Sequence, residues 1–387
     1  MKNNLTKKQI RKILYMLVSI MFFVILVTFC VAGIAAPDRE YSEAENRNLA
    51  SFPEISVNSL INGSFMADFE DYMSDQFINR DSIVSLKTTI SRLLGNTEVN
   101  DVYIGKNNRL FEVPTAFNAE RVDKTIDAVN NFAASCGIES KHFILVPNAG
   151  YIIPEDLPLS LIPENQSDMI SYVYKNLASD IITTDAASVL NNYTDRQNLY
   201  LKTDHHWTSE AAFITFREFA KNADITFNEN DFENIVLSDT FFGTLASSSG
   251  VYSQPDSLKA YIPKNIAGTY LVHNYETQSK YSTFFDVSKL SEKNQYEVFF
   301  GGNFSRLKIS TLNDNGKNML IFKDSFANCF IPNLIPHFEN IVIIDPRYFT
   351  EDINDILADM KFTHLLYLYN LNTFLEDTVL SDITINN

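Results

Sequence analysis

Apolar residues divide the chain into one long uncharged segment near its start and a series of short apolar runs after it. Residues 13–36 carry no charged side chain. As a helix these 24 residues reach about 36 Å, more than the roughly 30 Å of a bilayer core. Between residues 63 and 94 apolar positions recur at helical spacing and predict two helices that meet near Asn79 and Arg80. Residues 102–111 predict a hairpin with a four-residue turn.

Short apolar strands alternate with helical segments over most of the remaining chain. Residues 225–315 interrupt this alternation, because they are aromatic, rich in Ser and Thr, and punctuated by Gly. They predict a β-rich insertion that covers the active-site face. The alternation itself indicates an α/β fold, with a mostly parallel sheet flanked by helices. The predicted strands are 142–146, 180–183, 318–322, 340–344 and 363–369, and the predicted helices are 119–135, 167–179, 209–222 and one after Ser325.

Basic residues on one side of the long apolar segment predict its orientation in a membrane. These residues are Lys2, Lys7, Lys8, Arg11 and Lys12. Because positive flanks stay in the cytoplasm, we expect a single-pass transmembrane helix with the rest of the chain outside the cell. A cleaved signal peptide is the alternative, with residues 33–35 as an acceptable cleavage site. Its apolar region is usually only about 7–15 residues long, which favours an uncleaved anchor.

These patterns divide the chain into three predicted parts. They are a basic tail and anchor at 1–36, a membrane-proximal lead-out with helices at 37–96, and one α/β domain at 97–385 that contains the insertion. Of the 31 basic and 48 acidic residues, five basic ones precede residue 37, which leaves the remainder with a net charge of −22. A body this acidic repels phosphates, so nucleic acid is not an expected partner.

The chemistry-bearing residues are concentrated in the run Asp204-His205-His206-Trp207, which holds two of the six histidines and the single tryptophan. In an extended segment, side chains two positions apart point to the same side. The Asp204 carboxylate is therefore expected to reach His206 while His205 packs elsewhere. Ser325 follows an apolar strand, at the sheet edge where active residues of such folds collect. A nucleophile, a base and an acid that orients the base make up a serine relay.

Two simpler interpretations of these residues remain open. A serine at a strand-to-helix junction is most often a helix N-cap, which applies to Ser325. Asp204, His205 and His206 could instead bind a metal ion. A zinc site needs three or four ligands, however, and the sequence has no His-x-x-x-His spacing or nearby Cys pair to supply the rest. We therefore expect neither a metal nor a cofactor.

The run from Tyr200 to Thr208, Tyr-Leu-Lys-Thr-Asp-His-His-Trp-Thr, resembles the signature of the DHHW family of membrane-anchored bacterial proteins. It is also similar to the Asp-x-His-Trp motif in the SGNH-like domain of alginate O-acetyltransferases. The segment 322–328, Phe-Lys-Asp-Ser-Phe-Ala-Asn, resembles the serine block of the family. Further similar positions are Pro147-Asn148, Phe242-Gly243-Thr244, Gly301-Gly302-Asn303 and Asp345-Pro346-Arg347-Tyr348.

The resemblance implies an SGNH-hydrolase-like fold in which Ser325 attacks an acyl donor, His206 takes its proton and Asp204 orients His206. The Asp-x-His motif precedes the serine, which is the order of a circularly permuted SGNH sheet. Lys323 stands where Gly-Asp-Ser enzymes have glycine, and residues 346–347 replace a second expected glycine. The implied oxyanion-binding and substrate-binding residues are Asn370, Asn148, Asn303, Arg347 and Trp207.

The resulting hypothesis is an extracytoplasmic O-acetyltransferase that modifies a cell-surface or exported polysaccharide through an acyl-serine intermediate. The resemblance implies a membrane-bound O-acyltransferase as the supplier of the acyl group. A carbohydrate esterase on the same triad is the nearest alternative, because water and a sugar hydroxyl compete for one intermediate. A non-catalytic protein that binds glycan or supports assembly is the alternative from another class. Hydrogen-bond contact between His206 and Ser325 would favour the enzyme.

Overall fold

The chain forms two compact units, Met1–Ser91 and Arg92–Asn387. The computed structural model describes residues 6–42, 47–161 and 165–383. Lys2 of the predicted basic tail, and the last two residues of the predicted domain 97–385, lie outside these ranges.

In the described part of the chain, the first unit contains the long apolar helix, three further helices and two short strands. Its elements are α1 Lys7–Ala35, β1 Tyr41–Ser42, β2 Arg47–Asn48, α2 Val57–Ile61, α3 Ser64–Asp75 and α4 Arg80–Leu93. The segment Lys7–Gly33 of α1 is long and apolar enough to cross a membrane. Helices α3 and α4 confirm the two predicted helices, and the break between them falls where it was expected.

The second unit begins with a small three-stranded sheet and continues with alternating strands and helices. Its strands are β3 Glu98–Val99, β4 Val102–Ile104, β5 Leu110–Glu112, β6 Ser140–Val146, β7 Ile181–Thr184, β8 Phe232–Phe241, β9 Asp256–Pro263, β10 Tyr270–Asn274, β11 Ser279–Tyr281, β12 Arg306–Thr311, β13 Asn318–Lys323, β14 Asn340–Ile344 and β15 His364–Asn370. Its helices are α5 Ala119–Ser135, α6 Ala149–Ile152, α7 Gln166–Asn176, α8 Ala186–Asn191, α9 Ser209–Asn222, α10 Thr244–Ser249, α11 Ile353–Asp359 and α12 Leu371–Glu376. Strands β4 and β5 confirm the predicted hairpin.

Eight strands form the central sheet in the order β11-β10-β12-β14-β13-β15-β6-β7. The five strands from β14 to β7 run parallel to one another. Strands β12, β10 and β11 add an antiparallel edge beside β14. The predicted α/β fold with a mostly parallel sheet is therefore confirmed. Because β13 lies between β14 and β15, the segments that follow these three strands leave the sheet side by side, where such folds place their sites.

Both faces of the parallel strands are buried. On β13, Met319 and Ile321 belong to one apolar core, and Leu320 and Phe322 belong to the other. This alternation follows from the period of two in a strand. Helix α9 packs in the first core, whereas α5 and α7 pack in the second. Burial on both faces explains why these strands are continuous apolar runs in the sequence.

The prediction for residues 225–315 is correct in strand content but only partly correct in placement. Strands β8 and β9 form a separate antiparallel pair. Strands β10, β11 and β12 instead extend the central sheet, because β12 pairs with β14 along five residues. This pairing covers an edge of the parallel sheet that would otherwise expose unpaired backbone groups.

The predicted helix after Ser325 is wrong in type. Two 3-10 helices, Ser325–Cys329 and Ile331–His337, follow β13. Pro332 and Pro336 lack the backbone N–H groups that an α-helix needs, so the chain keeps to tighter turns. Ser325 therefore does not begin a long α-helix, and the helix dipole at this point is small.

Candidate active site

Asp204 and His206 lie in a tight loop just before α9. Thr208 closes the loop, because its N–H donates to the Leu199 carbonyl at 2.9 Å, and its side chain caps α9. The expected extended segment is wrong: the loop bends, and Asp204 Oδ1 accepts from the His206 N–H at 3.0 Å. A short carboxylate turn, and not strand alternation, therefore brings Asp204 beside His206.

Two buried charged residues fix this loop. Arg109 is fully buried and donates to three carbonyl oxygens of residues 197–201 at 2.6 to 3.2 Å. Asp256, the first residue of β9, accepts from the N–H groups of Lys202 and Thr203, both at 2.8 Å. Hydrogen bonds to ionised groups are stronger than those between neutral groups. The loop is therefore anchored through its carbonyl groups on one side and its N–H groups on the other.

Ser325 lies in the turn that leaves β13. The buried carboxylate of Asp324 accepts from the Phe326 N–H at 2.9 Å and from the Asn370 N–H at 2.7 Å. These bonds tie the serine turn to the end of β15. The Ser325 N–H donates no hydrogen bond to any residue that the structure describes, and the side chain of Ser325 is partly exposed.

The loop and the turn bring three predicted residues into one hydrogen-bonded chain. Ser325 Oγ is 2.8 Å from His206 Nε2, and His206 Nδ1 is 2.5 Å from Asp204 Oδ1. When Nδ1 carries the proton and faces the carboxylate, Nε2 is free to accept the proton of the serine. The distance between His206 and Ser325 is therefore one that favours an enzyme.

Asp204 has hydrogen-bond partners on both carboxylate oxygens. Its Oδ2 accepts from the N–H of Thr244 at 2.8 Å and from the Thr244 hydroxyl at 3.1 Å. Burial acts to raise the pKa of Asp204. The charges of His206 and His205, and hydrogen bonds that include one from Thr244, outweigh burial and hold the pKa well below its usual range. Asp204 therefore stays ionised and can hold the imidazole in one orientation.

Gly243 allows Thr244 to approach Asp204 this closely. A Cβ at Gly243 would overlap the Cβ and Oδ2 atoms of Asp204. Its N–H also donates to the Thr203 hydroxyl at 3.0 Å. The segment 242–244 was noted in the sequence only as a resemblance. Its glycine followed by threonine is the signal of this contact with the carboxylate, which sequence reasoning missed.

Two aromatic residues hold the imidazole and the serine turn. Tyr296 stacks on His206 with ring centroids 3.8 Å apart and planes 13° apart, and its hydroxyl donates to the Ser325 carbonyl at 3.4 Å. Trp207 Nε1 donates to the Phe326 carbonyl at 2.8 Å. Trp207 is fully buried, which leaves no surface for the predicted contact with a substrate. It joins the two halves of the site instead. Sequence reasoning missed Tyr296, because it belongs to no motif.

His205 lies beside His206 and does not pack elsewhere as expected. The two ring centroids are 3.9 Å apart, and His205 Nδ1 is 2.8 Å from the Thr244 hydroxyl. Asp204, His205 and His206 each offer one metal-ligand atom, and these atoms lie within 4.8 Å of one another. Both ring nitrogens of His206, however, already face Asp204 and Ser325. In this geometry neither ring nitrogen of His206 is free of a hydrogen bond.

Asn370 and Asn148 form a chain of amides at the ends of β15 and β6. Asn370 Nδ2 donates to the Val146 carbonyl at 3.2 Å and to Asn148 Oδ1 at 2.8 Å. Asn148 Nδ2 in turn donates to Asn372 Oδ1 at 2.8 Å. Both amide hydrogens of Asn370 are therefore used, and none remains for the oxyanion that we expected this residue to bind.

Asn303 contacts the residues on both sides of the serine turn. Its Oδ1 accepts from Lys323 Nζ at 2.8 Å and from Asn328 Nδ2 at 3.1 Å. These two donors fix the orientation of the amide, and Nδ2 makes no hydrogen bond within the described ranges. Lys323, in the position where the resemblance expects glycine, is buried and pairs with Asp345 at 3.2 Å. Burial lowers the pKa of Lys323, and Asp345 opposes this shift.

A groove of about 500 Å³ adjoins the site. Its lining includes His205, Asn370, Arg347, Glu112 and Glu376. Arg347 donates to both oxygens of Asp345, at 2.8 and 2.6 Å, and its side chain is 34% exposed. Burial raises the pKa of Glu112 to about 7. Neither Glu112 nor Glu376 was predicted, since no motif marks them.

The family model for DHHW proteins matches residues 109–344. This range is more than half of the chain, and it contains Asp204, His206 and Ser325. The chain belongs to the DHHW family. The resemblance seen in the sequence is therefore confirmed. No match was found among curated proteins.

Solved structures show that the fold of this DHHW protein occurs elsewhere. A DHHW family protein from Eubacterium siraeum is 22% identical with a TM-score of 0.62, over 75% of this chain and 98% of that one. Bacillus cereus PatB1, solved with a sulfonyl adduct, is 19% identical with a TM-score of 0.63, over 73% of this chain and 98% of that one. The O-acetyltransferase domain of Pseudomonas putida AlgJ is also similar, at 11% identity and a TM-score of 0.44, over 73% of this chain and 94% of that one. The first two similarities support the mixed α/β fold described above.

Proposed function

We propose that this DHHW protein is an O-acyltransferase that acts outside the cell and moves an acetyl group to a hydroxyl group of a polysaccharide. The observation that carries the proposal is the hydrogen-bonded chain of Asp204, His206 and Ser325. The resemblance of the Asp-x-His-Trp run to the alginate O-acetyltransferases supports the choice of an acetyl group and a polysaccharide.

The first half of the reaction forms an ester on Ser325. As Ser325 Oγ attacks the carbonyl carbon of the acyl donor, its proton passes to His206 Nε2 over the 2.8 Å contact. The new bond joins Oγ to the acyl carbon, and the bond to the leaving group breaks. His206 then returns the proton to that leaving group. Asp204 keeps His206 in the required tautomer and stabilises the imidazolium.

The second half transfers the acyl group to a sugar hydroxyl. His206 removes the hydroxyl proton, the sugar oxygen attacks the ester, and Ser325 Oγ regains the proton from His206. If water takes the place of the sugar, the same intermediate is hydrolysed. A carbohydrate esterase is therefore the alternative activity on this triad, and the product identifies which one operates.

Two donors are available for the negative oxygen that develops in both halves. The Ser325 N–H has no acceptor among the described residues. The Asn303 amide is held by Lys323 and Asn328 through its oxygen, which leaves Nδ2 as a donor. Preorganised donors of this kind are typically worth about 3–4 kcal/mol each. We assign Asn303 and the Ser325 N–H to this role in place of Asn370.

The acceptor is proposed to bind in the groove beside His205. Carboxylates and amides bind sugar hydroxyls well, because they offer several hydrogen-bond acceptors and donors. Glu112 and Glu376 supply the carboxylates, and Arg347 supplies a partly exposed guanidinium. His205 reaches the groove while it touches the His206 ring, so the groove adjoins the base that must remove the acceptor proton.

The cellular setting completes the proposal. Helix α1 would cross the membrane once with the N-terminus in the cytoplasm, as the positive residues before its uncharged segment indicate. The acyl group would then arrive from a membrane-bound O-acyltransferase. We also propose that the sheet is a circularly permuted SGNH sheet, since Asp204 and His206 precede Ser325 in the chain.

The test uses the full-length protein with an aryl acetyl ester as donor and an oligosaccharide as acceptor. Ser325→Ala and His206→Ala should each abolish acetyl-enzyme formation and acetyl transfer. The double variant should be no worse, because members of a triad act as one unit. Asp204→Ala should cost somewhat less. A sulfonyl fluoride, suggested by the adduct on PatB1, should label the wild type but not Ser325→Ala.

His205→Ala is the matched control, because it removes the neighbouring histidine and leaves the relay intact. It should keep the acetyl-enzyme step and lose mainly stability. If Ser325→Ala transfers acetyl normally, the serine mechanism is excluded. If His205→Ala is inactive while His206→Ala is active, the base has been assigned to the wrong histidine.

A further inference from the structure

Helix α4 presents an apolar stripe to the outside of the first unit. Ile83, Leu86 and Ile90 are 43%, 59% and 49% exposed. Their spacing of three and then four residues places them on one side of the helix. Thr88, on another side, is 2% exposed. A surface helix of a soluble protein normally has the opposite arrangement, with its apolar side buried and its polar side in water. The exposed stripe therefore calls for a partner.

The start of α4 is close to the apolar helix α1. Phe77, three residues before α4, stacks on Phe29 of α1 with ring centroids 5.4 Å apart and planes 16° apart. Phe29 lies four residues before Gly33, where the membrane-length segment of α1 ends. At 1.5 Å per residue, this is about 6 Å along the helix axis. If α1 spans a bilayer, α4 begins near the level at which α1 leaves it.

The charge of α4 suits an anionic surface. The helix carries three basic residues, Arg80, Lys87 and Arg92, and one acidic residue, Asp81, in a chain whose net charge is −17. Arg80 pairs with the buried Asp75 at 3.7 Å, which leaves Lys87 and Arg92 as the cations that can face an anionic surface. Lys87 follows Leu86 directly and is exposed. A lysine beside an apolar stripe can lay its methylene groups on the lipid and place its ammonium group among the phosphates.

We propose that α4 lies on the outer surface of the membrane as an interfacial helix. Ile83, Leu86 and Ile90 would enter the boundary between headgroups and acyl chains, and Lys87 would face the phosphates. The partner is the lipid bilayer itself. This inference rests on the proposed membrane insertion of α1, and it does not depend on the proposed acyl transfer. It gives the protein a second membrane contact, about 21 Å long, beside its anchor.

The test places a tryptophan on each side of α4 in the full-length protein. Leu86→Trp marks the apolar stripe, and Ser85→Trp marks the exposed polar side of the same helix. Phe23→Trp, within α1, reports whether the anchor has inserted. Each variant is reconstituted in vesicles of phosphatidylcholine and phosphatidylglycerol, with and without bromine on the acyl chains of both leaflets. Bromine quenches only tryptophans in contact with lipid chains, and the native Trp207 is fully buried.

In brominated vesicles, Leu86→Trp and Phe23→Trp should lose most of the emission that their added tryptophan contributes. Ser85→Trp should be quenched no more than the wild type. If Phe23→Trp is quenched but Leu86→Trp is not, α4 does not lie in the lipid and the proposal is overturned. A blue-shifted but unquenched Leu86→Trp would assign the stripe to a protein partner or a second copy. An unquenched Phe23→Trp would overturn both the anchor and the interfacial helix.

Discussion

Tyr296 controls the orientation of His206, because it covers one face of an imidazole that Asp204 and Ser325 contact only at its edges. An aromatic face this close also stabilises a charged ring, typically by about 0.5–2 kcal/mol. Since about 1.4 kcal/mol corresponds to a tenfold change in rate, Tyr296→Leu should lower kcat for acetyl transfer by roughly 2- to 30-fold with little change in KM.

Tyr296→Phe separates the stacked ring from the hydroxyl. It keeps the ring on His206 and removes the hydroxyl's contacts with the Ser325 carbonyl, at 3.4 Å, and with the Cys329 thiol. Because neither contact holds the imidazole, kcat should stay close to that of the wild type. Steady-state kinetics on both variants provides the measurement. Equal losses in the two variants would mean that the hydroxyl matters and the stacked ring does not.

Asn303 and Asn370 differ in whether the amide nitrogen can donate a further hydrogen bond. Asn303 is half-buried and Asn370 is buried. Asn303→Ala removes an amide nitrogen with no acceptor, so kcat should fall by about 10²–10³. Asn370→Ala should leave kcat near normal. It removes the cap of α12 instead, which should lower the free energy of unfolding by about 1 kcal/mol. Acetyl-transfer rates and urea unfolding of both variants separate the two roles, and a large loss of kcat in Asn370→Ala would return the oxyanion to that residue.

At the scale of elements, the loop before α9 depends on a charge that lies far from it in sequence. Arg109 precedes β5, donates to the loop carbonyls, and pairs with Asp156 at 3.3 Å, with both side chains buried. Arg109→Met leaves the Asp156 carboxylate buried without its cation. Breaking such a pair typically costs about 3–5 kcal/mol, and the loop that holds Asp204 loses its fixed geometry.

The free energy of unfolding in urea and kcat should therefore both fall in Arg109→Met. Arg217→Met is the matched control, because Arg217 pairs with Glu229 at 2.8 Å but both side chains are about half exposed. An exposed pair contributes about 1 kcal/mol or less. A similar loss of stability in the two variants would show that Arg109 does not hold the loop.

The sequence predicted best the strands that are buried on both faces, because such strands must be continuous apolar runs. Strand β14 matches its prediction at both ends, and β6, β13 and β15 differ by only a residue or two. Contacts between residues far apart in the sequence were harder to predict. Nothing in residues 306–311 shows that they pair with β14 and not with another strand. The relay was found because Asp204 and His206 stand two residues apart in one motif, whereas Gly243, Thr244 and Tyr296 reach it only through the fold.

At the scale of the whole molecule, the two ends of the parallel strands have different chemistry. The carboxyl ends carry Ser325, Asp345 and Asn370. The amino ends of β6 and β15 carry His142 and His364, whose ring centroids are 6.4 Å apart with planes 10° apart. His142 is fully buried, and its Nδ1 has no hydrogen-bond partner among the described residues. Burial lowers the pKa of each of these histidines to about 4, and for His142 the charge of His364 adds to the effect.

This pair makes the protein sensitive to acid on the side away from the relay. The unfolded chain takes up a proton at each histidine near pH 6.5, whereas the folded chain does so only near pH 4. Protonation therefore favours unfolding as the pH falls from about 6.5 to 4, and stability is greatest above that window. For His142 the loss of unfolding free energy is about 3 kcal/mol.

His142→Leu should remove the part of this sensitivity that His142 contributes and leave the part that comes from His364. Between pH 7 and pH 5 the thermal midpoint of the variant, followed through the buried Trp207, should fall less than that of the wild type. The variant should also tolerate the apolar side chain, since Nδ1 of His142 lacks a partner and Nε2 contacts only the half-buried Ser140 hydroxyl, at 2.8 Å. His273→Leu is the comparison, because His273 is partly exposed on β10. Partial burial and nearby basic residues also lower the pKa of His273, so this variant should reduce the pH dependence less than His142→Leu does. If His142→Leu keeps the wild-type slope against pH, the acid sensitivity arises from other groups, and His142 is a neutral part of the core.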